Sequence, residues 1–307
     1  MIYAAPGPGL LAMPNDAADA PDEGNPRAPN FSGRRSLADL LPRVLSAIVL
    51  MAAALVSVWQ GGLVFDLIWL GAALAVGCEW QNLIAAPNRR LRFFLVALGL
   101  VAGAYFAGKA WFGTACFLLG GSGLALALAA GPGRRVWAFG GIVYAGLLLV
   151  STGALHGSAE YGARSIVWLF AIVWSTDVFA YFGGRLIGGA KLWPKISPSK
   201  TWSGTLTGVF AGARLGAVTG AHGLGDPRRA LLLFALGLAA AAISQGGDIF
   251  ESWVKRRFGT KDSSGLIPGH GGFMDRLDGF IAAAAFAALF GRARGLDSIA
   301  AGLFDWA

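Results

Sequence analysis

The sequence predicts an all-α, polytopic integral membrane protein with about nine transmembrane helices, and three observations lead to this prediction. Of the 307 residues, 55% are hydrophobic and only 14% are charged, which is too apolar for an ordinary soluble domain. From Arg43 onward the apolar residues fall into runs close to the ~20 residues that a helix needs to cross a bilayer. Basic residues concentrate in alternate connections between these runs, which is typical of cytoplasmic loops. The net charge of +8 therefore reflects membrane topology, and no nucleic-acid partner is expected.

Residues 1–36 predict a disordered N-terminal tail, because they are rich in Pro, Ala, Gly and Asp. No basic residue precedes Arg27, so we do not expect a secretory signal there. Two further regions follow the tail. Residues 37–160 are expected to form N-terminal transmembrane helices, and residues 161–307 a C-terminal transmembrane region that carries the catalytic residues.

Nine apolar runs follow the tail. They lie at roughly 43–60, 62–80, 92–109, 111–130, 136–155, 165–182, 204–221, 230–247 and 277–295. Several are short or rich in glycine, so about eight to ten spans would fit the pattern, and nine is our prediction.

The distribution of Lys and Arg predicts the orientation of these spans. With the N-terminus in the cytosol, 18 of the 25 basic residues lie on the cytosolic side and 6 on the opposite side. This bias favours a cytosolic N-terminus and an external C-terminus. The charged loops 183–203 and 248–276 then face the cytosol, where nucleotides are available.

Acidic residues flank the loop 248–276 on both sides. Asp248, Glu251 and Lys255 are spaced so that they share one helix face, and Asp275 and Asp278 share a face at the start of the next span. Carboxylates that converge from two helix ends fit Mg²⁺, which takes one or two acids together with waters and substrate phosphates. Ion pairing at a helix boundary is the alternative explanation for these acids.

The middle of the same loop is rich in glycine and basic residues. Gly265, Pro268, Gly269, His270, Gly271 and Gly272 precede a helix, and backbone N–H groups of such a segment can approach a phosphate closely. Lys255, Arg256 and Lys261 would supply counter-charge for a triphosphate. A simple turn and a lipid-headgroup contact remain the alternatives for the glycines and for the bases respectively.

The loop 183–203 follows a helix that contains an unusual acid. Asp177 lies within an apolar run, where a carboxylate indicates a functional site. Ser197, Ser199, Lys200, Thr201 and Ser203 cluster before the next span, and Lys200 is the best candidate for a phosphate contact. The hydroxyls, Ser203 in particular, could instead cap the following helix. We interpret Glu79, at the end of the second span, as an interfacial residue.

Together these residues resemble the sequence signature of the phosphatidate cytidylyltransferase family, also called CDP-diacylglycerol synthases. The first matching block consists of Ser252, Lys255, Arg256, Lys261, Asp262, Pro268, His270, Gly271, Gly272, Asp275, Arg276 and Asp278. The second consists of Asp177, Ala180, Tyr181, Phe182, Gly184, Arg185, Ser197, Pro198, Lys200, Thr201, Trp202 and Gly204. The similarity covers about residues 168–280. Gly246 departs from the family pattern, which has an apolar residue before the Gly-Asp pair, and it could shift Asp248.

The resemblance implies an enzyme that joins CTP and phosphatidic acid to give CDP-diacylglycerol and pyrophosphate. The implied magnesium ligands are Asp248, Asp275 and Asp278, with Asp177 as a further candidate and a second cation left open. The implied catalytic residues are Lys200, Lys255, Arg256, Lys261, Asp262, His270 and Arg276. The implied substrate-binding residues are Ser197, Ser199, Thr201, Ser252, Gly271 and Gly272.

The expected partners are CTP, phosphatidic acid and the lipid bilayer, with a homo-oligomer left open, and the expected location is a bacterial inner membrane. The phosphate of phosphatidate is itself an adequate nucleophile, so the enzyme chiefly has to neutralise and align two anions. Two alternatives remain, a membrane transporter with a charged cytosolic site and a cytidylyltransferase that acts on another lipid phosphate.

Overall fold

The computed structural model describes residues 37–223, 226–267 and 271–306, with side chains from residue 44 onward. The predicted disordered tail, residues 1–36, lies outside the described residues. Nine helices of 19 to 31 residues make up most of this part of the chain, so the all-α class is confirmed. They are α1 (Leu37–Gln60), α2 (Gly62–Leu83), α3 (Arg89–Gly108), α4 (Phe112–Ala130), α5 (Arg135–His156), α6 (Gly162–Leu186), α7 (Trp202–Ala221), α8 (Pro227–Arg257) and α9 (Met274–Ala293). A short α10 (Ala301–Phe304) follows, and a β-hairpin of β1 (Lys191–Trp193) and β2 (Ser197–Thr201) joins α6 to α7.

Each predicted apolar run coincides with one of the nine long helices. Among the described residues, six helices are long and apolar enough to cross a membrane by length and composition, namely α2, α3, α4, α5, α6 and α8. The polytopic membrane class is therefore confirmed, and the count of nine spans stays a prediction.

The helix boundaries follow from local start and stop signals. Gly131 ends α4 and Gly259 follows the end of α8, and both have a positive φ of 72° that favours glycine. Asp226 begins α8 because its Oδ1 accepts the N–H of Arg228 at 2.8 Å and Pro227 occupies the first turn.

Contacts between α2 and α5 show that these helices run in opposite directions. At one end Trp80 Nε1 donates to Trp137 O at 2.8 Å, which joins the last turn of α2 to the start of α5. At the other end the rings of Phe65 and His156 stack with their centroids 3.7 Å apart. This arrangement agrees with helices that alternate in direction along the chain.

Helices α6 and α7 approach each other closely along a row of glycines on α7. Gly204, Gly208, Gly212 and Gly216 recur every four residues, and a Cβ at Gly204 would lie 2.6 Å from Ala180 O. Small residues at this spacing let two helix backbones pack together in a membrane protein. As a result, Lys200, just before α7, lies beside the part of α6 that carries Asp177.

The two predicted loops are shorter than the sequence indicates. Helix α6 continues to Leu186, and the hairpin, with Lys191 opposite Thr201, fills much of 183–203. Helix α8 continues to Arg257, so 248–257 is helical and only the later part of 248–276 is a connection. The helical part agrees with the single helix face on which the sequence places Asp248, Glu251 and Lys255, because polarity marks where a span ends, whereas a helix ends only where its hydrogen bonding stops.

Candidate active site

A cavity of about 1200 Å³ lies between the helices and has one apolar and one polar part. Its volume exceeds the ~300–1,000 Å³ typical of small-molecule sites. The apolar wall comes from α1, α2 and α6 and includes Leu50, Met51, Leu67, Ile68, Phe170 and Val173. The polar part includes Asp177, Lys200, Gln245, Asp248, Asp275, Arg276 and Asp278. Residues that sequence analysis placed in two separate loops thus line the same cavity.

Lys200 connects the hairpin to α8. Its Nζ lies 2.6 Å from Asp248 Oδ2 and donates to Gln245 Oε1 at 3.0 Å. Gln245 Nε2 in turn donates to Asp177 Oδ1 on α6 at 3.3 Å. The side chains of Lys200 and Asp248 are 17% and 31% exposed, so the pair is shielded but still accessible from the cavity. This pair joins the two charged regions that the sequence places on the same side of the membrane.

A second lysine connects α8 to α9. Lys255 Nζ lies 2.7 Å from Glu251 Oε2 and 2.6 Å from Asp275 Oδ1, and all three side chains are at most 13% exposed. Asp275 Oδ2 also accepts the N–H of Gly272 at 2.8 Å and of Ser263 at 3.0 Å. Asp275 therefore organises the connection between α8 and α9 in addition to lining the cavity.

Gly246 does not interrupt α8 and does not move Asp248 away from Lys200. Helix α8 is continuous through residues 246–248, and a Cβ at Gly246 would meet no atom within 4 Å. Gly247 is the constrained position, because a Cβ there would lie 2.6 Å from Asp278 O. Glycine at 247 thus lets α8 approach α9, and Asp248 reaches Lys200.

The other predicted hydroxyl and glycine residues have varied surroundings. Thr201, not Ser203, caps α7, since its Oγ1 accepts the N–H of Gly204 at 3.1 Å. Ser203 Oγ instead donates to Gly188 O. Ser252 Oγ lies 3.5 Å from Asp248 Oδ1. Ser199 lines the cavity, and Ser197 is half-buried in β2. Gly271 has a positive φ of 81°, and Gly272 is buried.

Three predicted catalytic residues, one in the last turn of α8 and two in the connection after it, lie at the surface. Arg256, Lys261 and Asp262 are exposed, and these described residues are not part of the cavity lining. Arg256 Nη1 donates to Thr260 O at 3.4 Å. The predicted residue His270, together with Pro268 and Gly269, lies outside the described residues.

Glu79 is the acid whose importance the sequence analysis missed. It is 1% exposed, so its carboxylate lies inside the protein. Its Oε1 accepts from Ser264 Oγ at 2.7 Å and from Phe273 N at 2.9 Å, while Oε2 accepts from Ser263 Oγ at 3.0 Å and from Met274 N at 2.8 Å. The available signal was a carboxylate within an apolar run, the criterion that we applied to Asp177 but not to Glu79.

Comparison with known proteins connects this geometry to a family. The sequence profile of the cytidylyltransferase family matches residues 41–293, which is more than half of the chain. The chain belongs to the cytidylyltransferase family. It is 42% identical over 262 residues to the phosphatidate cytidylyltransferase of Brucella abortus, covering 83% of this chain and 94% of the relative. It is 33% identical over 282 residues to that of Haemophilus influenzae, covering 82% and 98% respectively.

The donor chemistry of this cytidylyltransferase site fits a magnesium ion. The carboxylates of Asp177, Asp248, Asp275 and Asp278 all line the cavity, and Mg²⁺ prefers such hard oxygen donors. Among the described residues, no group of three or more His, Cys, Asp or Glu side chains has an arrangement that could hold a metal by itself.

Proposed function

We propose that this cytidylyltransferase transfers the CMP group of CTP to phosphatidic acid and releases pyrophosphate. A phosphate oxygen of phosphatidate forms a bond to the α-phosphorus of CTP, and the bond from that phosphorus to the leaving pyrophosphate oxygen breaks. The product is CDP-diacylglycerol. The observation that carries the proposal is the Lys200–Asp248 pair, at 2.6 Å, on the wall of a cavity that is apolar on its other side.

The two-part cavity supports a lipid phosphate as the acceptor. Acyl chains fit the apolar wall from α1, α2 and α6, while a phosphate fits beside the lysine and arginine of the polar part. A soluble phosphate acceptor would gain nothing from the apolar wall.

The basic residues would neutralise the two anionic substrates. Lys200 and Arg276 line the cavity and are positioned to bind phosphates there. Lys255 lies between Glu251 and Asp275, where it holds α8 against α9. Arg256, Lys261, Asp262 and His270 complete the set of residues proposed to act on CTP. In-line alignment of the two phosphates supplies much of the rate, because the acceptor oxygen needs no activated side chain.

Magnesium is the proposed cofactor, held by Asp248, Asp275 and Asp278. When bound, it would offset negative charge on the transferring and leaving phosphates. Asp177 lies in the same cavity and is the proposed residue for a second cation.

The proposed location is a bacterial inner membrane with the N-terminus and the cavity's polar part on the cytosolic side. The excess of Lys and Arg in alternate connections supports this orientation. Crosslinking in native membranes tests whether the protein also forms a homo-oligomer.

Purified protein in mixed micelles with CTP, phosphatidate and Mg²⁺ tests the activity. We expect CDP-diacylglycerol and pyrophosphate in equal amounts, detected by mass spectrometry and a coupled pyrophosphate assay. Product from an isoprenoid ether lipid phosphate but not from phosphatidate would assign a different acceptor. Ion or solute flux in proteoliposomes without nucleotide turnover would instead indicate a transporter.

A further inference from the structure

The buried acid Glu79 connects the N-terminal helices to the α8–α9 connection. It lies in the last part of α2, and its four hydrogen-bond donors lie 184 to 195 residues later in the chain. Two donors are the hydroxyls of Ser263 and Ser264, and two are the backbone N–H groups of Phe273 and Met274. Each oxygen of the Glu79 carboxylate accepts two of these four hydrogen bonds.

The backbone donors belong to the start of α9, the helix that presents Asp275 and Asp278. The first N–H groups of a helix have no partner within the helix. Phe273, the described residue at the cap position, supplies no side-chain cap, so Glu79 of α2 provides the acceptor. An anion at this position also interacts favourably with the helix dipole.

Ser263 makes Glu79 and Asp275 parts of one network. Ser263 Oγ lies 3.0 Å from Glu79 Oε2 and 2.9 Å from Asp275 Oδ2, so its single proton is shared between the two acids. Gly272 leaves room for this network, because a Cβ there would lie 2.5 Å from Glu79 Oε2. A shift of Glu79 would therefore move the backbone on both sides of Asp275.

We propose that Glu79 is a positioning residue for the transfer reaction. It fixes residues 263–264 and the start of α9, and thereby sets the positions of Asp275 and Asp278 in the cavity. This inference rests on the proposed function, because its kinetic readout is CDP-diacylglycerol formation. A misplacement of about 1 Å at a reacting centre can cost about 10²-fold in rate.

The variant Glu79→Gln tests the inference. Its remaining oxygen can still accept from one pair of donors, but its NH2 group would face the other pair, while the size of the side chain is preserved. We expect kcat to fall about 10²-fold, with the KM for CTP changed less than about threefold, because the cavity wall that binds CTP remains. Asp66→Asn is the matched control, since Asp66 is an exposed acid on the same helix and is not part of the cavity lining. Equal kcat values for the two variants would overturn the inference.

Hydrogen exchange separates this inference from the proposed function. In Glu79→Gln, amide exchange in residues 271–277 should accelerate about tenfold, because one of the two N–H groups of Phe273 and Met274 loses its acceptor, while Asp66→Asn should leave it unchanged. If the wild type forms no CDP-diacylglycerol, the proposed function fails, and the exchange rates still decide whether Glu79 holds α9. Unchanged exchange in Glu79→Gln would overturn the inference.

Ser264→Ala serves if Glu79→Gln does not fold. It removes one donor to Glu79 and leaves the carboxylate in place. We expect a fall in kcat of about three- to tenfold, and no fall would contradict the positioning role. Where both variants fold, the double variant should be no slower than Glu79→Gln, because both substitutions disrupt one network. Full additivity would show that Ser264 acts independently of Glu79.

Discussion

Replacement of Lys200 by Met should remove most of the activity and only part of the stability. At 2.6 Å the gross attraction between Lys200 Nζ and Asp248 Oδ2 is about 6 kcal/mol at an effective dielectric constant of ~20. Desolvation offsets much of it, and both side chains retain some exposure, so we expect a net loss of only about 1–3 kcal/mol in unfolding free energy. The kinetic loss should be larger, about 10²–10³-fold in kcat/KM, because removal of one preorganised group that stabilises transition-state charge has this effect.

Initial rates of CDP-diacylglycerol formation in mixed micelles, combined with thermal unfolding of the same samples, measure the two effects separately. Lys195→Met is the matched control, because Lys195 lies exposed between the strands of the same hairpin and is not part of the described cavity lining. Its kcat/KM should stay within about twofold of wild type. Retention of more than about a third of wild-type kcat/KM by Lys200→Met would refute the phosphate-binding role.

Three further predictions concern the acids, the cation and the topology. Asp275→Asn should abolish product formation, because the variant loses the charge that pairs with Lys255 at 2.6 Å. The variant should stay folded in the membrane. Full activity would exclude Asp275 from the site. Removal of divalent cations with EDTA should stop turnover, and added Mg²⁺ should restore it. The physical reason is that the four cavity carboxylates need a counter-charge beside two phosphates. Turnover in EDTA would remove magnesium from the proposal. A tag after Trp306 should react with a membrane-impermeant reagent in intact cells, and protection of the tag would contradict the nine-span count.

Hydropathy was sufficient to predict the helices because membrane-crossing segments have to be apolar over about 20 residues. The pattern of apolar runs predicted only that Lys200, Asp248 and Asp275 lie on the same side of the membrane, and the family resemblance implied that they share a site. The β-hairpin was not predictable in this way, since strands of three and five residues leave almost no periodic pattern.

The role of Glu79 was hidden for a different physical reason. Its partners are backbone N–H groups and serine hydroxyls almost 200 residues away, and neither kind of donor leaves a charge pattern in the sequence. Thr201 was similarly ambiguous, because a hydroxyl before a helix suits a cap and a phosphate contact equally well. Sequence patterns thus predicted the charged partners of the site better than the neutral groups that hold them in place.

The N-terminal helices are part of the site and not only a membrane anchor. The similarity noted from the sequence covers about residues 168–280, which omits α1 and α2 entirely. Yet these two helices provide Leu50, Met51 and Leu67 to the apolar wall, and α2 provides Glu79 to the start of α9. A lipid acceptor needs an apolar surface next to the charged groups, and α1 and α2 extend that surface beyond the helices that carry the acids and Lys255. The boundary near residue 160 therefore separates two halves of the sequence whose side chains complete one cavity.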